Sequence, residues 1–163
     1  MVEKWLSSHP DASQFVKTKE ELMSVDVQAT DYLFGTFGPS HTPYAHEKDP
    51  TYDPSLAEMT EKAVEILRKN ENGFFLMVEE GLIDYAHHDT MANKAMSEAA
   101  ALDETIEHFM TLMGEEMEDT LMVVTADHGH TMSFGGDVSR GSNIMGEIFC
   151  RNGKNLCLKD NIF

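Results

Sequence analysis

The chain has 163 residues, of which 41% are apolar and 25% charged, and this length and composition predict one globular domain. Its formal net charge of −17 argues against nucleic acid or an anionic membrane surface as a partner. The sequence holds no apolar run long enough to span a bilayer. We therefore expect residues 1–163 to belong to one domain, with no separate second domain and no nucleic-acid binding.

Local signals predict two short helices and one strand near the start of the chain. Val2–Ser8 is typical of a short helix, and Thr18 followed by Glu21 is a capping-box pattern that predicts a helix over Lys19–Met23. The aromatic run Asp31–Phe37 favours a strand, because aromatic side chains are enriched in sheets.

A long loop and two further helices are predicted around the central region. Residues 38–54 form a loop whose length is usually associated with function. Asp53 followed by Pro54 predicts the start of a helix, with Asp53 as the N-cap. Apolar residues at helical spacing predict a long amphipathic helix from Met91 to about Met113.

The two cysteines of the chain, Cys150 and Cys157, flank an Asn152-Gly153 pair that is typical of a hairpin turn. They either face each other across that hairpin or remain two free thiols. Two cysteines in a chain of this size do not define its redox compartment.

An apolar run followed by metal-ligand side chains lies near the middle of the chain. Phe74–Val78 lies between glycines and is typical of a buried strand. Glu79, Asp84 and His88 follow it, and open α/β sheets bind their ligands beyond the carboxyl ends of strands. The i, i+4 spacing of Asp84 and His88 places them on one helical face, close enough to share a metal ion. A His–carboxylate pair without a metal is the alternative.

A second segment repeats this arrangement. Thr120–Ala126 is again a predicted strand, and Asp127, His128 and His130 follow it. Two strands that both end in carboxylates and imidazoles predict one shared site, with zinc as the favoured ion. A neighbouring position richer in carboxylate would suit magnesium. His130 is expected either to orient a ligand or to lie on the surface.

Two further side chains near the first motif have specific expectations. Glu79 follows five apolar residues, so we expect it to be poorly solvated unless it binds an ion; an exposed residue at the end of the strand is the alternative. His87 is expected to orient a ligand, because a ligating imidazole needs its other nitrogen held; a histidine bonded within the core is the alternative.

From the pattern alone, we expect a two-metal hydrolase acting on phosphate esters.

The order of the predicted elements indicates an α/β fold with a largely parallel sheet. Only about three core strands can be recognised, whereas doubly wound sheets usually have five or six. The strand count therefore suggests a fragment.

Val78–His88 (VEEGLIDYAHH) and Thr125–Gly136 (TADHGHTMSFGG) resemble the metal-binding motifs of alkaline phosphatases. The likeness runs nearly end to end and extends to the segments VEKWL, EELM, YLFGTF and DPSLAEMT. It implies the carboxyl-terminal part of a eukaryotic-type catalytic domain. The implied fold is an α/β sandwich around a central, mostly parallel sheet flanked by helices.

The resemblance implies a site with two zinc ions and one magnesium ion, with roles assigned by position in the motifs. Glu79 is the expected magnesium ligand. Asp84 and His88 are the expected ligands of the first zinc, and Asp127 and His128 those of the second.

A calcium site is also implied, at the carbonyl of Phe37 and at Asp53, although Gly38 stands where the family has a glutamate. The chain departs from the family at four further positions that are not metal ligands. We expect altered contacts on the substrate side at these positions, which are Glu80, Leu82, Tyr85 and Ala86.

The family nucleophile is a serine in an Asp-Ser-Ala motif, which this sequence does not contain. The resemblance implies that this serine, a phosphate-binding arginine and a metal-bridging aspartate lie upstream of Met1, and that a last zinc-binding histidine lies downstream of Phe163. We therefore expect the chain to supply metal ligands and scaffold of a phosphomonoester hydrolase without turning over by itself. The alternatives are a non-catalytic metal-binding or structural remnant, and a relative of the phosphodiesterase, sulfatase or phosphomutase type.

The partners implied by the resemblance are a phosphate monoester substrate and a second copy of the chain in a homodimer. The implied location is extracellular or on the cell surface. Membrane attachment is expected only through a lipid anchor outside this chain.

Overall fold

The computed structural model describes residues 2–132 and residue 141. The predicted hairpin around Cys150 and Cys157 lies outside the described residues. Five α-helices are present in the described part: α1 (Val2–Ser8), α2 (Lys19–Met23), α3 (Leu56–Leu67), α4 (Leu82–His88) and α5 (Ala92–Met113). Two strands, β1 (Ser13–Val16) and β2 (Tyr32–Gly35), and two 3₁₀ helices, Ala45–Glu47 and Gly114–Asp119, complete the order.

The strands β1 and β2 pair in parallel, with Ser13 opposite Tyr32 and Val16 opposite Gly35. The predicted strand at Asp31–Phe37 is confirmed in shorter form as β2. Strand β1 has no counterpart among the predictions, because its sequence Ser-Gln-Phe-Val is short and half polar. The α/β class with a parallel sheet is confirmed.

Two predicted strands are absent from the described structure. Phe74–Val78 and Thr120–Ala126 form no ladder with any described residue. Most of their apolar side chains face solvent: Phe75 is 87% exposed and Leu121 is 89% exposed. Strand residues gain stability from cross-strand neighbours, so an apolar β-forming sequence without such neighbours does not become a strand.

The core below the sheet is formed by Val16, Leu22, Val25 and Ile66, which join β1, α2 and α3. On the other side of α3, helix α5 packs against both α3 and α4. His108 of α5 lies 2.8 Å from the carboxylate of Glu61 in α3. Helix α4 is therefore positioned by its packing against α5. No helix of the described residues is long and apolar enough to cross a membrane.

The N-cap of α3 is Ser55 and not Asp53, which corrects the sequence prediction. The Ser55 hydroxyl accepts the backbone N–H of Glu58 at 3.1 Å, and the Glu58 carboxylate accepts the N–H of Ser55 at 2.8 Å. Asp53 instead accepts the N–H of Asp49 at 3.0 Å. The reciprocal capping box satisfies two otherwise unpaired N–H groups, and Asp53 lies too far upstream to form it.

Replacing Ser55 with alanine should lower the free energy of unfolding by about 1 kcal/mol, because the first turn of α3 loses its cap. Equilibrium unfolding in urea measures this change. Ser97, which lies within α5 beyond its first turn, provides the matched control. Ser97→Ala should be neutral or slightly stabilising, since alanine is the better helix former. Equal losses in the two variants would contradict the capping role.

Candidate metal centre

Helix α4 presents two different faces. Leu82 and Ala86, one turn apart, are buried at 8% and 0% exposure. These two positions therefore lie largely in the packing interface, and Leu82 also lines a cavity. The altered substrate-side contacts expected for them stay a prediction. Asp84 and His88 lie on the other face, with His88 Nε2 3.3 Å from Asp84 Oδ2. The predicted placement of Asp84 and His88 on one helical face is confirmed.

The end of α4 is set by a strained residue. Thr90 has φ of +58°, a left-handed conformation that costs a β-branched side chain energy. The Met91 N–H donates to the Ala86 carbonyl at 2.8 Å, and the Thr90 N–H donates to the His87 carbonyl at 3.0 Å. This hydrogen-bond pattern is a Schellman motif, in which glycine usually occupies the position of Thr90. It ends α4 directly after His88 and starts α5.

The loop after the second apolar segment meets α4 at Asp84. His128 Nε2 lies 3.8 Å from Asp84 Oδ1 and 3.3 Å from Asp127 Oδ2. The sequence predicts that the two motifs share one region, and the structure brings them together there. The contact between His128 and Asp84 is present although the two apolar segments form no ladder among the described residues.

Asp84, His88 and His130 each offer one donor atom, and these atoms lie within 4.8 Å of one another. Asp84 Oδ1 is buried and accepts no hydrogen bond. An unsatisfied buried carboxylate oxygen costs free energy unless a cation or donor compensates it. One carboxylate and two imidazoles form a donor set that suits zinc, so the residues present fit that ion.

The imidazole of His128 has a raised pKa. The Gly129 carbonyl, 3.0 Å from Nδ1, raises the pKa of His128 most, and the charge of Asp127 adds to the rise. Burial opposes it, and the charge of Asp84 makes a lesser contribution in the raising direction. A metal ligand must be a neutral imidazole, so protons compete with a metal at this side chain.

Glu79 lies apart from this cluster. It is exposed to solvent, so the expectation that it would be poorly solvated is wrong. It lies on the wall of a cavity of about 240 Å³ beside Lys48, Glu80 and Tyr85. Burial and the neighbouring carboxylate of Glu98 raise the pKa of Glu80 to about 7. The magnesium role of Glu79 stays a prediction.

Three candidate residues remain: His87, which was expected to orient a ligand, and Phe37 and Asp53, which were expected to bind calcium. The ring of His87 stacks on that of His130, with centroids 5.4 Å apart. Phe37 packs its side chain against the core, and the Asp53 carboxylate is bonded to the Asp49 N–H. Within the described residues, Asp53 belongs to no group of three or more side-chain metal donors. The calcium site stays a prediction.

The small parallel sheet, the flanking helices and the carboxylate–imidazole cluster together define an α/β chain with a candidate divalent-metal centre. The family model described as alkaline phosphatase matches residues 1–157. The chain belongs to the alkaline phosphatase family.

Curated relatives carry the same name. The chain is 43% identical over 148 residues to the tissue-nonspecific isozyme of alkaline phosphatase from Homo sapiens. The matched segment covers 90% of this chain and 28% of that protein. It is 42% identical to an alkaline phosphatase from Gadus morhua and 38% identical to a membrane-bound alkaline phosphatase from Bombyx mori. The chain spans less than a third of the length of these relatives.

Solved structures agree with the family. The alkaline phosphatase of Thermus thermophilus superposes with a TM-score of 0.60 at 29% identity, over 69% of this chain and 23% of that one. A cold-active alkaline phosphatase from Shewanella superposes with a TM-score of 0.57 at 25% identity, over 71% and 27%.

Replacing Thr90 with glycine should raise the free energy of unfolding by about 1 kcal/mol, because glycine adopts positive φ without a Cβ clash. Chemical denaturation of the two proteins measures this gain. Thr90→Ala is the control, since alanine keeps the Cβ and most of the strain. A gain in the alanine variant equal to that in the glycine variant would show that the strain lies elsewhere.

Proposed function

We propose that this chain is the metal-ligand part of a phosphomonoester hydrolase of the alkaline phosphatase type. The observation that carries this proposal is the meeting of two separate sequence motifs at one half-buried, unsatisfied carboxylate, that of Asp84. Family membership supports the same reaction class. The reported relatives are all named alkaline phosphatases, which favours a phosphomonoesterase over a phosphodiesterase or a sulfatase.

The proposed metals are two zinc ions and one magnesium ion. Asp84 and His88 would bind the first zinc, Asp127 and His128 the second, and Glu79 the magnesium ion. When bound, such ions supply positive charge that neutralises a phosphoryl group. The calcium role of Phe37 and Asp53 belongs to the same proposal and has no support beyond the resemblance.

The chain's own residues hold these donors in place. The backbone carbonyls of Gly129 and Thr131 lie against Nδ1 of His128 and His130, at 3.0 Å and 2.5 Å. A proton held at Nδ1 leaves Nε2 of each ring free as a donor atom. Helix α4 fixes Asp84 relative to His88, so two donors are positioned before any metal arrives.

We propose that the chain contributes no nucleophile. Its sequence contains no Asp-Ser-Ala motif, and the serine of that motif is the nucleophile that the resemblance implies. This absence is also what favours the second candidate, a non-catalytic metal-binding protein. The proposed domain is the whole of residues 1–163, as part of a larger catalytic domain.

The proposed substrate is a phosphate monoester, and the proposed assembly is a homodimer. We also propose an extracellular or cell-surface location. One relative, from Bombyx mori, is named a membrane-bound alkaline phosphatase, which supports the location.

Asp84→Asn should weaken zinc binding to the full chain by at least about 100-fold, because a direct carboxylate ligand is lost and loss of an outer partner alone already costs 10- to 100-fold. Zinc competition with a chromogenic chelator measures the affinity. Asp89→Asn is the matched control, since Asp89 lies just past α4 and is exposed.

The same preparation is assayed with a chromogenic phosphate monoester at alkaline pH. We expect zinc binding without turnover. Turnover that disappears in Asp84→Asn would contradict the missing nucleophile and support an active enzyme. Equal zinc affinity in Asp84→Asn and Asp89→Asn would contradict the proposed metal centre.

A further inference from the structure

We propose that two residues of α5, Lys94 and Glu98, anchor the long loop of residues 38–54 and thereby position one wall of the cavity beside α4. The two residues lie one helical turn apart, and both contact the same short segment of the loop. We call this pair the loop anchor. The loop anchor itself does not depend on any metal assignment, and only its consequence for the metal centre rests on the proposed function.

The carboxylate of Glu98 makes the first contact. Its residue is fully buried, at 0% exposure, and its Oε1 accepts the backbone N–H of Ala45, 53 positions earlier in the chain. A buried carboxylate costs free energy unless it is hydrogen-bonded or paired, so packing alone does not favour a glutamate at this position. The hydrogen bond to Ala45 satisfies one carboxylate oxygen and fixes the backbone of the loop at the same time.

The ammonium group of Lys94 makes the second contact. Its Nζ lies 2.9 Å from the Glu47 carboxylate and 4.3 Å from the centroid of the Tyr44 ring. An ion pair and a cation–π contact therefore hold the residues on either side of Ala45. The side chains of Lys94 and Glu47 are 21% and 44% exposed, so solvent screens this contact and it is the weaker of the two.

The segment that the anchor holds is too short to keep its shape alone. The 3₁₀ helix Ala45–Glu47 has two local hydrogen bonds, from the N–H groups of Glu47 and Lys48 to the Tyr44 carbonyl, at 2.7 Å and 3.0 Å. A single helical turn in isolation is unstable, because nucleation costs more than one turn returns. Tertiary contacts with α5 must therefore stabilise it.

The anchored segment forms part of the cavity beside α4. The ring of His41 packs against that of Tyr85, with centroids 4.6 Å apart, and both rings line the cavity together with Lys48 and Glu80. Tyr85 directly follows Asp84 in α4. The loop anchor therefore determines which loop side chains lie next to the helix that carries the candidate ligands, which makes Lys94 and Glu98 positioning residues.

The test breaks the buried hydrogen bond from each side. Glu98→Leu removes the acceptor, Glu98→Gln keeps an acceptor oxygen without the charge, and Ala45→Pro removes the donor without touching α5. Proline suits the first position of a helix, where it needs no N–H partner. Tyr44 has φ of −59° and ψ of 150°, the extended conformation that a following proline favours.

The first readout is amide hydrogen exchange in the full chain without metal, followed by nitrogen-15 NMR. Exchange at Glu47 and Lys48 should be at least about tenfold faster in Glu98→Leu and in Ala45→Pro, because each variant loses a bond to a charged acceptor. Glu98→Gln should change it by less than about threefold, since the bond is kept. Exchange at Asp31, whose N–H is bonded to Ala12 on the other side of the fold, should stay unchanged in all three variants.

The second readout is the chemical shift of the His41 ring protons. The neighbouring Tyr85 ring shifts these signals, and Tyr85→Leu identifies the size of that shift. Glu98→Leu and Ala45→Pro should abolish the shift, and Glu98→Gln should restore it. A residue that only fills space in α5 would not give the same signature as a variant in the loop.

Lys94→Met tests the weaker contact. It keeps the aliphatic stem and should speed exchange at Glu47 by about two- to fivefold at low salt, an effect that high salt should remove. Lys4→Met is the matched control, because it makes the same change of charge on an exposed position of α1.

Two results would overturn the loop anchor. One is unchanged exchange at Glu47 and Lys48 in Ala45→Pro, which decides the matter even if Glu98→Leu does not fold. The other is equal acceleration at Asp31, which would show that Glu98 supports the whole fold. Either result leaves the proposed function standing, whereas zinc binding that is insensitive to Asp84→Asn would remove the proposed function and leave the loop anchor intact.

Discussion

The carboxylate of Asp84 is the group on which the candidate site depends. One of its oxygens lies 3.3 Å from His88 on the same helix, and the other, buried and unbonded, lies 3.8 Å from His128 on a distant loop. A half-buried carboxylate among imidazoles is stabilised by cationic charge, from a protonated ring or from a metal. The charges around Asp84 therefore favour a cation at this position, independently of the family resemblance.

Packing beneath α4 holds this carboxylate in place. Ala86 is fully buried, and α4 packs against α5. Thr90, in the left-handed conformation, then turns the chain, so that α4 ends at His88, the last of its candidate ligands. Strain of this kind persists only where the surrounding structure over-determines it, and such sites are concentrated near functional positions. Glu98 of α5, also fully buried, accepts the Ala45 N–H and holds the long loop against the same helix.

The features that sequence reasoning predicted well are local ones. The capping box at Thr18 and the i, i+4 pair of Asp84 and His88 depend on residues within one turn of each other, and the structure contains both. The pairing of strands depends on distant partners, and the two strands predicted at Phe74–Val78 and Thr120–Ala126 are absent from the described residues. Phe74–Val78 has the composition of a strand, but a ladder needs a neighbour that the pattern cannot supply.

The position of His130 was equally beyond the sequence. The spacing between the two motifs does not say how close the two alternating histidines, His128 and His130, come to Asp84, because that depends on how the loop folds back. Strand β1 was missed for a related reason, since its four residues pair with β2 through backbone groups that carry no side-chain signal. The helix start at Ser55 was misassigned to Asp53 because both residues are good caps, and only the reciprocal bonds with Glu58 distinguish them.

The most direct measurement is X-ray absorption at the zinc K-edge, on the full chain loaded with one equivalent of zinc. A site centred on Asp84 predicts nitrogen and oxygen neighbours at about 2.0–2.2 Å, with outer-shell scattering from imidazole. Sulfur neighbours at about 2.3 Å, or a shell without imidazole scattering, would show that zinc binds elsewhere in the chain. In that case the meeting of the two motifs at Asp84 would not be a metal centre.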